Sequence, residues 1–183
     1  MLNTGLRTDE LLGLLNSDIN LEGRYLEVRQ GVKETAKRNG VEAEPGREVK
    51  VGKLKSASSK RAVPLNDTAI EMIEDLRSES YFGPDTPLVA DENGNFTRPV
   101  NFRKRYYRIM KAAGIELKGL HSLRHTFATN LVNGVKQEDG SINSLTPRQV
   151  ADLLGHSTSQ ITELYYVKKD TARLNGITDG FNL

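Results

Sequence analysis

The chain has 183 residues, with 26 Lys and Arg against 24 Asp and Glu for a net charge of +2, and no cysteine. That length is enough for one globular unit with a real core. The missing cysteines exclude a disulfide framework, a thiolate metal site and a cysteine nucleophile, and fit a reducing compartment. No apolar run approaches the roughly 20 residues that span a bilayer, and the first residues lack the basic-then-apolar plan of a signal peptide. A cytoplasmic protein with no membrane partner is therefore expected. The small net charge does not argue for nucleic acid by itself, so the distribution of charge matters more than its sum.

From Thr8 to Leu15, the apolar positions Leu11, Leu12, Leu14 and Leu15 lie near helical spacing, with Thr8 as the expected N-cap and Asp9 and Glu10 favourable at the positive helix end. RYLEVRQ (24–30) alternates in strand fashion through Tyr25, Leu26 and Val28, and REVKVGKLK (47–55) does so through Val49, Val51 and Leu54. A third strand follows at KRAVPL (60–65). Between the first two lies KETAKRNGVEAEPG (33–46), polar and long for a hairpin loop, which reads as an extended connection. NDTAIEMIEDLRSE (66–79) places Ile70, Ile73 and Leu76 on one helical face behind an Asn66 or Asp67 cap. PLVADENGNFTRP (87–99) reads as a strand edge with an Asn-Gly turn. Pro99 to Ala113 is helical again, with Pro in the first turn and a stop at Gly114. Three more helices are expected over HSLRHTFATNLV (121–132), TPRQVADLLG (146–155) and SQITELYYV (159–167), before a polar tail after Lys168. The pattern is α+β: mainly helical, with a small antiparallel sheet of about three strands.

The chain's three histidines, His121, His125 and His156, gather in two short motifs. In HSLRHTFAT, His121 and Arg124 share one helix face while Leu123 and Phe127 share another, so one face packs and the other presents cations. An imidazole beside a guanidinium repels it unless an anion lies between them, and the planar fork of Arg suits two non-bridging phosphate oxygens. A salt bridge to a carboxylate is the alternative. In NTGLRTDELLGL, Arg7 follows Gly5 at the mouth of a helix, where backbone N–H groups already favour an anion, and Glu10 is placed to orient it. In KLKSASSKRAVPL, Lys55 precedes a Ser-rich turn, where it either solubilises the turn or reaches into a groove to protonate a leaving oxygen. Tyr165 and Tyr166 follow His156 in LLGHSTSQITELYYV. A phenol is a poor nucleophile until cationic neighbours favour its anion, and a terminal-helix tyrosine otherwise packs a core. VNFRKRYYRIMKAAG is the most basic stretch, with Arg103, Lys104, Arg105, Arg108 and Lys111 interleaved with Tyr106 and Tyr107. It is either a phosphate-binding or a solvated face.

Taken in order, TGLRTDELLGL, KSASSKRAVPL, HSLRHTFAT, LLGHS and TELYYV resemble the successive signature boxes of the tyrosine recombinases, the phage and transposon integrase family. The resemblance covers nearly the whole chain and implies the DNA breaking-rejoining fold. It makes Arg7 and Arg124 the phosphate-clamping arginines, His121 the imidazole between them, His156 a second phosphate-supporting histidine and Lys55 the general acid, with Lys53 as substitute. Glu10 and His125 take supporting positions. The run Thr162, Glu163, Leu164, Tyr165 favours Tyr165 as nucleophile, with Tyr166 the alternative. The implied chemistry uses no metal and no cofactor: the tyrosine attacks a DNA phosphodiester, forms a 3′-phosphotyrosyl link and releases a 5′-hydroxyl. The implied partners are double-stranded DNA, further copies in a tetramer on DNA, and accessory DNA-bending proteins, in the integration or excision of a mobile element. Family members place a core-binding domain and the first catalytic helices ahead of the first arginine box, which here begins at residue 4. Residues 1–183 are thus expected to be a catalytic domain without them. A catalytically incompetent DNA-binding remnant is the alternative function, and a type IB topoisomerase a third.

Overall fold

The structure, a computed structural model, describes residues 1–36, 47–54, 59–136 and 140–156. Helix α1 (Thr8–Gly13) is capped by Arg7 rather than Thr8: Arg7 holds the extended N-cap conformation and its N–H donates to the Glu10 carboxylate at 2.8 Å. An acid at the third helical position reaches back to the cap N–H, so no hydroxyl is needed there. Leu14 leaves the helix in extended backbone and enters the core, which ends α1 at Gly13 rather than at Leu15.

An antiparallel three-stranded sheet is present, with a membership different from the expected one. It runs β1 (Ile19–Asn20), β2 (Tyr25–Val28) and β5 (Arg61–Pro64), with Leu26 opposite Ile19 on one side and Val63 on the other. Residues 47–53 instead form β4 (Arg47–Lys53), which pairs with β3 (Gln30–Ala36) in a separate hairpin that sets Val32 opposite Val51 and Lys33 opposite Lys50. Residues 33–36 are therefore strand, not connection, and the remainder of the expected connection lies outside the described residues. GVKETA follows its buried Val32 with Lys, Glu and Thr, so it carries no apolar alternation to read. Its partner strand and α1 hold it instead: a Cβ on Gly13 would lie 2.8 Å from the Gly31 Cα, and two glycines let the helix end touch the strand.

Helix α2 (Asp67–Ser80) follows Asn66, whose side chain accepts the Ala69 N–H at 2.9 Å, and it turns Ala69 and Ile73 into the core. The Asn-Gly turn closes a single bridge between Ala90 and Phe96, with Gly94 at φ +79. Helix α3 (Pro99–Ala112) has no fully buried residue. Phe102, Tyr106 and Met110, four apart, make its half-buried stripe. Helix α4 (His121–Asn133) ends at Gly134, and two short strands the sequence did not announce, β6 (Val135–Lys136) and β7 (Ile142–Asn143), pair before α5 (Pro147–Leu154). Thr146 and Gln149 cap α5 reciprocally, and left-handed Gly155 closes it. The helix expected over 159–167 and the tail lie outside the described residues.

Two apolar clusters result. Leu6, Leu14, Leu26, Val28, Val63, Leu65, Ile73 and Leu88 join the three-stranded sheet to α2, while Ala128, Val132, Val150 and Leu154 join α4 to α5. The chain from Thr4 to Glu10 runs along the seam between them.

Candidate active site

Arg124 falls in register with Ala128 and Val132 on the buried stripe of α4 and is itself 1% exposed. This corrects the expectation that the cations of its motif share an open face. Burying a guanidinium costs several kcal/mol unless its N–H groups find acceptors, and here backbone carbonyls supply them. Arg124 Nη1 donates to the Gly5 carbonyl at 2.6 Å, and Nη2 to the Leu154 carbonyl at 2.7 Å. Leu154 ends α5, where unpaired carbonyls and the negative helix end favour a cation. Gly5 presents its carbonyl only because it sits at φ +61, and a Cβ there would lie 2.6 Å from the Phe127 ring and 2.8 Å from Leu154. Arg124 thus pins three segments, the N-terminal strand of chain, α4 and the end of α5, to one point.

Beside it, Glu10 is buried and shared by three arginines. Arg7 Nη1 lies 2.6 Å from Oε1, Arg61 grips both oxygens at 3.1 and 3.0 Å, and Arg124 Nη1 stands 3.9 Å from Oε2. Burial pushes the Glu10 carboxyl up, but the hydrogen bonds and charges of Arg61 and Arg7 outweigh it and hold the group below the usual carboxylate range. Arg7 remains 33% exposed at its side chain, so its guanidinium is anchored from behind and open in front.

The two motif histidines meet at this seam. His156 Nε2 lies 3.1 Å from Arg124 Nη2. A guanidinium only donates, so Nε2 is the acceptor and the ring proton sits on Nδ1. Burial and then the charges of Arg124, Arg7 and Arg61 push His156 down to about 4. His121, at the start of α4, is lowered by burial, then by Arg124, Arg7 and His125. Both shifts favour the neutral imidazole over the imidazolium, because a further positive charge is disfavoured beside the guanidiniums.

Of the residues singled out from sequence, the fold brings together Arg7, Glu10, His121, Arg124 and His156. His125 stays on the outer face of α4, with Nδ1 3.3 Å from Thr129 Oγ1, and acts on His121 through charge. Arg103, Lys104, Arg105, Arg108 and Lys111 all face solvent on α3. Arg103 also lines a cleft of about 480 Å³ with Thr8, Asp9 and Lys33, which runs from the start of α1 to α3. Arg98, ahead of α3, pairs with Glu34 of β3 and fixes the helix to the hairpin. Lys55, Tyr165 and Tyr166 lie outside the described residues. The sequence reading missed Arg61 as a site residue, although its strand carried a signal: alternation through Val63 and Leu65 turns Arg61 inward, and an inward arginine needs an anion.

The fold is that of tyrosine recombinase catalytic domains. The Tn1549 transposon integrase, solved in complex with circular intermediate DNA, superposes with a TM-score of 0.71 at 25% identity, covering 94% of this chain and 55% of that one. XerA recombinase superposes with a TM-score of 0.64 at 24% identity, covering all of this chain and 54% of that one. Among sequence relatives, the tyrosine recombinase XerC-like protein of Caldanaerobacter subterraneus subsp. tengcongensis is 29% identical over 97% of this chain and 47% of its own length. Tyrosine recombinase XerC of Corynebacterium glutamicum is 28% identical over 88% of this chain and 42% of its own. The profile of the phage integrase family matches residues 1–173, and the chain belongs to that family. It spans about half the length of these curated relatives.

Proposed function

We propose that this chain carries the strand-cleaving centre of a site-specific DNA recombinase that works through a 3′-phosphotyrosyl intermediate, in the integration or excision of a mobile element. The observation that carries the reading is the gathering of Arg7 and Arg124 about a buried Glu10, with His156 against Arg124 and His121 within the field of both arginines. The similarity to the Tn1549 integrase supports the mobile-element assignment.

In this reading a scissile phosphate lies over Arg7, His121 and His156, with Arg124 beneath as the charge that holds the floor. Tyr165, or Tyr166 in its place, attacks phosphorus in line as its phenolic proton passes to a neutral imidazole of the pocket. The P–O bond to the 5′ oxygen breaks, Lys55 protonates that oxygen, and the phosphate stays on the enzyme as a 3′ diester of the tyrosine. Attack by the 5′-hydroxyl of another strand reverses the step. Charge grows on the non-bridging oxygens in the transition state, so donors fixed there act where they matter most. Loss of one such donor typically costs about 10²–10³ in rate. The exposed cations of α3 add salt-dependent hold on the DNA backbone, and assembly into a tetramer on DNA, with DNA-bending accessory proteins, belongs to the same reading.

The test is a nicked duplex, built from the DNA flanking the gene, in which cleavage releases a short fragment and traps the enzyme. Wild type should give a covalent adduct on a denaturing gel, lost in Tyr165→Phe and kept in Tyr166→Phe. Salt-sensitive DNA binding without any adduct would replace this reading with that of a DNA-binding remnant.

A further inference from the structure

The proposed mechanism leaves one buried cation of the pocket, Arg61, without a task. Arg61 is 7% exposed at its side chain and spends its donors on four acceptors: both Glu10 oxygens at 3.1 and 3.0 Å, the Ser59 carbonyl at 3.0 Å and the Leu153 carbonyl at 2.6 Å. With its donors spent on these acceptors and only 7% of its side chain exposed, it is not placed to be a phosphate ligand.

Two features define what it does instead. Arg61 and Arg124 hold adjacent carbonyls, Leu153 and Leu154, at the end of α5, three and two residues before His156. Together they fix the point from which that imidazole projects. Arg61 also competes with Arg7 for Glu10. Without it, the buried carboxylate would answer to Arg7 alone at hydrogen-bond distance, since Arg124 stands at 3.9 Å. The carboxylate would then cancel the charge of the arginine that faces outward. With Arg61 present, three guanidinium charges surround one carboxylate, and the surplus of positive charge lies toward the open side where Arg7 stands.

We infer that Arg61 is a positioning residue that occupies Glu10 and thereby leaves the charge of Arg7 available to an incoming phosphate. The inference rests on the phosphate-binding reading of the pocket proposed above. It makes a distinctive prediction about charge: the harm done by removing Arg61 is relieved by also neutralising Glu10, whereas a purely structural arginine would leave the double variant at least as damaged as the single one.

The experiment titrates the whole chain at low ionic strength with inorganic phosphate, reading the ring resonances of His121 and His156 by NMR, in wild type, Arg61→Gln and Arg61→Gln/Glu10→Gln. Loss of one charge-assisted partner should weaken phosphate binding by roughly tenfold or more in the single variant and leave the double within about threefold of wild type. Amide spectra establish that each variant is folded. If the glutamine variants fail to fold, Arg61→Lys keeps the cation but not the two-pronged grip, and an intermediate loss is expected. Wild-type phosphate affinity in Arg61→Gln or in Arg61→Lys, or a double variant no better than the single, would overturn the inference. A wild-type protein whose two histidines ignore phosphate would overturn the pocket reading itself, and this inference with it.

Discussion

Gly5→Ala probes the joint on which the pocket is hung. Gly5 sits at φ +61, and an added Cβ would meet Phe127 Cδ1 at 2.6 Å, Phe127 Cε1 at 2.7 Å and Leu154 Cδ2 at 2.8 Å. Left-handed backbone costs an alanine about 1 kcal/mol relative to glycine. Phe127 is only half-buried and can swing outward, but Leu154 is fully buried against Val150, so part of the overlap must be met by backbone movement. Overpacking of this kind costs about 1–3 kcal/mol, for a total near 2–4 kcal/mol. That is a large share of the ~5–15 kcal/mol that stabilises a typical domain. The movement has a functional consequence, because the carbonyl of Gly5 receives Arg124 Nη1 at 2.6 Å. Urea denaturation measures the first effect, as a lowered midpoint at unchanged slope, and the adduct assay on folded protein the second, as a loss of rate. A stability change under about 0.5 kcal/mol, the size of an ordinary surface substitution, would refute the packing argument.

Arg124→Met should destabilise the chain by about 2–4 kcal/mol, because it strands the Gly5 and Leu154 carbonyls in a buried place, and should abolish adduct formation; chemical denaturation and the gel assay read the two effects separately. His121 and His156 are both held below their ordinary 6.5, His156 to about 4, so the unfolded chain binds the extra protons as pH falls from 6.5 toward 4. Stability is therefore expected to fall through that window, by about 1–2 kcal/mol for His156 once its partial exposure to solvent is discounted; melting temperatures at pH 7.5 and 4.5 check the sign, and bound phosphate should reduce the loss. Lys55→Ala should lose most of its cleavage rate on a normal duplex and regain it on a duplex whose 5′ leaving oxygen is replaced by sulfur, because a thiolate leaves without a proton; equal loss on both would remove Lys55 from the general-acid role. Neutralising Arg103 or Arg108 should lower the slope of log affinity against log salt by about 0.9 for each DNA phosphate the helix no longer neutralises, which a fluorescence titration at several salt concentrations measures.

The site was legible in sequence wherever chemistry is carried by a short string. HSLRHTFAT, LLGHS and TGLRTDELLGL marked His121, Arg124, His156, Arg7 and Glu10 through their resemblance to the family's boxes, whereas spacing alone left each cluster open between an anion site and a salt bridge or exposed helix start. What the strings did not carry was burial. Arg124 looked like an exposed cation since helical period assigns residues to faces but not faces to neighbours, and α5 supplies the carbonyls that allow it inside. Arg61 was passed over for the same reason, its partner Glu10 lying far away in sequence. The sheet followed a similar rule. Tyr25 to Val28 and Arg61 to Pro64 alternate against a core and were readable, whereas β3 is a strand only because β4 and the end of α1 hold it there. Helix α3, bounded by Pro99 and Gly114, needed no tertiary help to be seen.

In the proposed function the pocket acts on phosphate charge. That action is read by comparing cleavage of a trapped nicked duplex carrying an ordinary phosphodiester with one carrying a neutral methylphosphonate at the scissile position, by wild type and by Arg7→Gln. If Arg7 stabilises charge on a non-bridging oxygen, the substitution should slow diester cleavage by about 10²-fold or more and have far less effect on the methylphosphonate, where that charge is missing. An equal loss on both substrates would mean that Arg7 acts through something other than the phosphate's charge, and the phosphate-binding role of the pocket would fall.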